Sequence, residues 1–105
     1  MNELRIINRF QTTLIEYRDV SYVEQSSRKI VVHTPFGAYW EYCSMESMLM
    51  RLDGRMHRSH HSLAVNMDVI RSISKDTVEL SDGSTLSMCH AAIGRTKKAW
   101  LNHIS

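Results

Sequence analysis

The chain has one proline, four glycines and two cysteines, and each scarcity excludes something. No Pro-, Gly- or Ser-rich stretch divides its 105 residues, so the length fits one folded domain and leaves no linker between two. Cys43 and Cys89 form neither a CxxC pair nor a dense framework, which suits a reducing compartment better than a disulfide scaffold. No apolar run approaches the roughly 18 residues that a membrane-spanning helix needs. Met1-Asn2-Glu3 opens neither a signal peptide nor an Arg-rich transit peptide, so the expected location is the cytoplasm. Internal repeats and low-complexity tracts are absent too. Charge of one sign is scarce: 13 Lys and Arg offset 11 Asp and Glu for a net charge of +2, and bulk charge alone announces no nucleic-acid partner.

What is present reads as an ordinary globular composition, 43% hydrophobic and 23% charged. The distribution of charge says more than its sum. Between Glu24 and Glu41 the only charges are Arg28 and Lys29, and beyond Asp82 there is no acidic side chain, only Arg95, Lys97, Lys98 and two histidines. Basic patches can thus gather on one edge of a nearly neutral molecule.

The first two-fifths is rich in Val, Ile, Thr, Tyr and Phe in short runs, which predicts strands near Leu4–Phe10, Leu14–Glu16, Tyr22–Gln25, Lys29–Thr34 and Ala38–Cys43. Thr34-Pro35-Phe36-Gly37 places Pro and Gly where a type I turn prefers them, predicting a hairpin. Met45, Met48, Leu49 and Leu52 recur at helical spacing, with Ser44 to cap the start and Gly54 to take a left-handed end position. The methionine face of that two-turn helix reads as core packing. Further strands are expected at Leu63–Val65, Val69–Ser74, Thr77–Ser81 and Ser84–Met88, the last two joined by Asp82-Gly83, a strong hairpin signal. His90–Ile104 reads as a helix with Ile93, Trp100, Leu101 and Ile104 on one face and Arg95, Lys97 and Lys98 largely off it.

Chemistry concentrates in Met56-His57-Arg58-Ser59-His60-His61-Ser62, ahead of an apolar strand, and three functional readings are open. A metal site would use His57, His60 and His61, with Cys89 or His90 brought near, but adjacent histidines on an extended chain point to opposite faces. A catalytic site would need a nucleophile, a base and an orienting acid, and the nearest carboxylates, Asp53 and Asp68, belong to flanking elements without a motif. Nucleic-acid contact suits the residue types best, because Arg, Ser and neutral His offer donors to phosphates and both donors and acceptors to base edges. Beside these stands the plain reading that a His-Ser run satisfies its own backbone at a strand entry. The residues alone leave the choice open.

The segment from Arg58 through His60, Ser62 and Val65-Asn66 to Ile70 resembles the signature of LytTR-type DNA-binding domains of bacterial transcription regulators, in outline Arg-x-His-x-Ser-hydrophobic-x-Val-Asn with a later Ile. Arg18-Asp19-Val20-Ser21-Tyr22-Val23-Glu24 resembles the family's "D-I-x-Y-I-E" strand, and Val78 to Gly83 with Leu86-Ser87 its terminal hairpin. The likeness runs from about Ile15 to Ile104 in the family's order. It implies a mainly β fold, an elongated sandwich of short antiparallel sheets with two short helices. It also implies a non-enzymatic output domain that binds double-stranded DNA through edge loops entering the grooves, without a recognition helix.

Three loops would carry those contacts. The first is Ser26 to Lys29, with Arg28 at a base-reading position; the second is Arg58 to Ser62; the third is Met88-Cys89-His90, where the family often has Val-Ser-Arg. His90 thus stands where an Arg would offer a bidentate fork to guanine, a departure that changes what the third loop can read. Arg28, His60, His61, Ser62 and His90 are the expected DNA contacts, and Lys29, Arg58 and Lys98 the expected phosphate-positioning cations. No cofactor, metal or small-molecule substrate is expected. The resemblance further implies a second copy on direct-repeat promoter sites and, if the chain is free-standing and not an excised output domain, a membrane-bound inhibitor. The alternative is a LytTR-like protein-interaction or dimerisation module without strong DNA binding.

Overall fold

A computed structural model describes residues 2–105. Ten strands and two helices fill an envelope of 39 × 27 × 24 Å. A five-stranded antiparallel sheet lies between two covering layers, in spatial order β5 (Gly37–Tyr42), β4 (Lys29–Thr34), β3 (Tyr22–Ser26), β7 (Leu63–Asn66), β6 (Met56–His60). One face is covered by the hairpin β1 (Glu3–Ile7) and β2 (Thr12–Glu16) with α1 (Met45–Met50). The other carries the three-stranded sheet β8 (Ile70–Ile73), β9 (Thr77–Leu80), β10 (Thr85–Ser87) with α2 (His90–Ile104). This is the mainly β, elongated arrangement of short antiparallel sheets and two helices that the sequence predicts.

The layering follows from side-chain alternation along strands. In β4, Ile30 and Val32 point into a first core with Leu4, Ile6, Ile15, Val23, Met45 and Met48. In β7 both faces are buried: Ala64 joins that first core, while Leu63 and Val65 join a second with Ile70, Val78, Leu80, Leu86 and Ile93. That explains why Leu63-Ala64-Val65 reads as a continuous apolar run. Asn66 closes β7 fully buried. Its Nδ2 donates to the Val20 carbonyl at 2.8 Å and its Oδ1 accepts from the Asp68 amide at 2.9 Å.

Both predicted hairpins form. β4 and β5 are joined across Pro35-Phe36, where Thr34 Oγ1 accepts from the Phe36 and Gly37 amides. β9 and β10 are joined across Ser81–Ser84, with Gly83 at φ +90 and Asp82 Oδ1 accepting from the Ser84 amide and hydroxyl. Ser44 caps α1 as expected, its Oγ accepting from the Ser47 amide at 3.0 Å.

Four expectations are corrected. The first strand stops at Ile7, because Asn8 Oδ1 accepts from the Phe10 and Gln11 amides and turns the chain. The first helix ends at Met50 with Arg51 as its cap, and Gly54 takes no positive φ. Of the expected contact loop Arg58–Ser62, the first three residues belong to a strand, Met56–His60, with a register shift at Ser59. The face that α2 buries is Ala92, Ile93 and Thr96 with Trp100 half-buried, whereas Leu101 and Ile104 are exposed. Leu101 lies roughly 140° around the helix from Thr96, so the two cannot share a contact face.

Candidate nucleic-acid interface

The β3–β4 and β6–β7 turns lie side by side at one end of the central sheet, because β3 and β7 are antiparallel neighbours with Glu24 opposite Leu63. The Gln25 amide donates to the Ser62 carbonyl at 2.9 Å, tying one turn to the other. The first turn is a two-residue loop, Ser27-Arg28, between the paired Ser26 and Lys29. Ser27 takes φ +61, the positive value that the first position of a tight hairpin turn demands. Arg28 is exposed at the tip. Lys29 folds back so that its ammonium sits 4.3 Å from the Trp40 ring centroid, a cation–π contact that steadies it.

The second turn is His61-Ser62, with His61 exposed. His60 Nδ1 accepts from the Ser62 amide at 3.2 Å and lies 3.1 Å from Ser62 Oγ. A backbone N–H can only donate, so Nδ1 is the acceptor of that bond, which leaves Nε2 as the ring's donor. Arg58 lies on β6 and points toward α1: one guanidinium nitrogen donates to Glu46 Oε2 at 2.8 Å and the other to the His61 carbonyl at 2.6 Å. The bond from Arg58 to Glu46 also holds the Glu46 carboxyl below its ordinary range.

Behind β6, α2 supplies an anchor. Ser59 Oγ and Thr96 Oγ1, both buried, are 2.8 Å apart, and Arg95 donates to the Ser59 carbonyl at 2.9 Å. His57 sits nearby with Nε2 buried and unpartnered, and burial, reinforced by the Arg95 charge, pushes its pKa down.

The third segment divides. Thr85 and Ser87 of β10 border a cleft of about 270 Å³ together with Gln25, His60 and Ser62. His90, exposed at the first position of α2, lines a different cleft with Lys75 and Lys97. Lys98 is exposed on the outer side of α2. Sequence reasoning missed Lys75, which the β8–β9 turn sets beside His90; a lone Lys in a Ser-Lys-Asp turn carries no signal of that neighbour. It also missed Gln25 and Glu46. The histidines do not converge: among the described residues no three His, Cys, Asp or Glu side chains are grouped to hold a metal ion, and both cysteines are free.

Comparison with known proteins bears on the family and the fold. The family model for the LytTr DNA-binding domain matches residues 11–100. Among solved structures, a LytTr DNA-binding domain from Bacillus cereus, described as that of a methyl-accepting/DNA response regulator, superposes with a TM-score of 0.80. That match covers 94% of this chain and 96% of the other at 16% identity, so the likeness is one of fold. No curated protein matches. With most of its length under the family model, the chain belongs to the LytTR family of DNA-binding domains, whose role is regulatory and not catalytic.

Proposed function

We propose that this chain reads double-stranded DNA in a sequence-specific way with the end of the molecule that carries the β3–β4 and β6–β7 turns, acting as a bacterial, cytoplasmic transcription regulator. The observation that carries the reading is the junction of the two turns through Gln25 and Ser62. It sets Arg28, His60, His61 and Ser62 on one edge, as turns narrow enough to enter a major groove must be. Arg28 supplies a planar fork for two acceptors of one guanine, and His60 and Ser62 supply single hydrogen bonds to base edges or phosphates. Lys29, Lys75, Lys97 and Lys98 are the cations for the phosphate backbone, His90 adding one imidazole beside Lys75 and Lys97. Two copies on direct repeats would extend the same contact along a promoter.

Selection of duplexes from a random pool by the purified chain, followed by anisotropy titration on the selected and scrambled duplexes, tests this. A recovered consensus bound at least about 100-fold more tightly than scrambled DNA is expected, since specific sites exceed non-specific ones by about 10³ or more. Absence of a consensus refutes it. The second reading, a protein-interaction or dimerisation module, draws on His90, which cannot make the bidentate contact of an Arg; a concentration-dependent mass by sedimentation without DNA selection would favour it.

A further inference from the structure

We propose that Arg58 is a positioning residue that sets the shape of the His61-Ser62 turn, with Glu46 of α1 as its anchor, and that it makes no phosphate contact; this rests on the DNA-reading role proposed above. The guanidinium joins Glu46, 12 residues earlier in the chain, to the turn: one nitrogen is bound to Glu46 Oε2 at 2.8 Å and the other to the His61 carbonyl at 2.6 Å. Its third nitrogen, Nε, is buried without a partner. A cation poised for DNA would leave its donors free, as Arg28 does at its exposed tip; Arg58 has both terminal nitrogens engaged by its own protein. The carbonyl it captures belongs to the residue whose exposed side chain heads the turn. The neighbouring Ser59 is fixed from the opposite side by Thr96 and Arg95. β6 is therefore gripped between α1 and α2 immediately before the turn, while His60 and Ser62 bind each other within it. Of the grips from the two helix sides, the one through Arg58 reaches the turn's own backbone, whereas those from Thr96 and Arg95 stop at Ser59.

The two roles separate by readout. A phosphate contact adds the same free energy on every sequence and nearly one unit to the slope of log affinity against log salt. A positioning residue alters discrimination and leaves that slope unchanged. We would compare wild type, Arg58→Ala, Arg58→Lys and Glu46→Ala on the selected and scrambled duplexes at several salt concentrations. The expected result for Arg58→Ala is about tenfold weaker binding to the selected duplex, less than about twofold change on the scrambled one, and an unaltered salt slope. Arg58→Lys, able to keep one of the two bonds, should fall between, and Glu46→Ala should weaken selected binding although it removes an acid. Equal loss on both duplexes with a slope reduced by about 0.9, or tighter binding by Glu46→Ala, overturns the proposal. Amide chemical shifts of the free protein give a second measurement that needs no DNA. Glu46→Ala, at an exposed site that should leave the fold intact, is expected to move the His61 and Ser62 amides along the same direction as Arg58→Ala; unmoved turn amides overturn the proposal. Were no duplex selected, the DNA-reading role would fall, and the amide shifts alone would decide whether Arg58 shapes the turn.

Discussion

Replacing Asn66 by Ala should be among the most damaging single changes in this protein, although Asn66 touches no candidate DNA contact. Its amide bridges two elements: Nδ2 donates to the carbonyl of Val20, which is fully buried, and Oδ1 accepts from the Asp68 amide. The same residue's backbone amide donates to the Ser21 carbonyl at 3.0 Å, so the side chain reinforces a point where the chain leaving β7 meets the chain entering β3. Asn66→Ala removes two hydrogen bonds of about 1 kcal/mol each and leaves the Val20 carbonyl without that donor in a site closed to water, a further 1–3 kcal/mol or so. A total near 3–5 kcal/mol is a large share of the roughly 5–15 kcal/mol by which domains of this size are stable. It should lower the melting temperature by roughly 10 °C or more. Urea unfolding followed by circular dichroism checks it, with the midpoint reduced and the slope unchanged. Asn66→Asp keeps the acceptor, loses the donor to Val20 and buries a charge, and should be no milder. A loss below about 1 kcal/mol for Asn66→Ala would refute the bridging argument. The Asn of the family signature is on this account a structural clip, and wild-type discrimination should survive in Asn66→Ala wherever it remains folded.

Arg28→Ala should weaken selected DNA by about 1–3 kcal/mol and relax preference at one base pair, whereas Lys98→Ala should weaken selected and scrambled duplexes alike and lower the salt slope by about one phosphate; anisotropy titrations separate the two, and unchanged discrimination in Arg28→Ala would displace that residue from base reading. Ser27→Gly should stabilise the fold by about 0.5–1 kcal/mol, because φ +61 strains a residue with a Cβ and not glycine, as read from the urea midpoint. His57 is pushed below its ordinary 6.5 by burial, then by Arg95, so the unfolded chain binds its proton more readily. The stability it confers is whole above pH 6.5 and declines as pH falls from there toward the folded value. Melting temperatures of wild type and His57→Leu at pH 7.5 and 5.5 should show the smaller acid-side loss in the variant.

Much of the fold is legible in the chain because its signals are local. β-branched alternation marks β3 and β4, and Pro35-Phe36 and Asp82-Gly83 place their hairpins. β6 escapes this logic. Met56-His57-Arg58-Ser59-His60 shows no apolar alternation, since what holds it is polar: Ser59 against Thr96, Arg58 against Glu46. A strand buried through hydrogen bonds carries no hydrophobic period to read. Thr96 misleads in the same way on α2, where its hydroxyl is satisfied by the Ala92 carbonyl and by Ser59, so a polar residue occupies the buried face. Leu101 and Ile104 lie exposed on a final turn that His103, bonded to Asp68, ties back. The residue types of the candidate site were readable, but the joining of its first two turns depends on β3–β7 pairing across some forty residues, which no local pattern encodes.

Pairing of charges accounts for how a molecule of net charge +2 can present a basic edge. Glu16, Glu24, Glu41, Glu46, Asp53 and Asp68 each face a cationic or imidazole partner at 2.5 to 3.0 Å. Arg28, Lys29, Lys75, Lys97 and Lys98 have no ion-pair partner among the described residues. Six of the eleven acids are thus paired within the molecule, with Arg18, Arg51, Arg55, Arg58 and two histidines. The field a polyanion meets depends on where the unpaired charges lie, Arg28 and the lysines of α2 among them, and not on the sum over the chain alone. Removing a paired surface acid such as Glu46 therefore changes the net charge toward DNA while loosening the turn that would read it, so bulk charge and reading should move in opposite directions in that one variant.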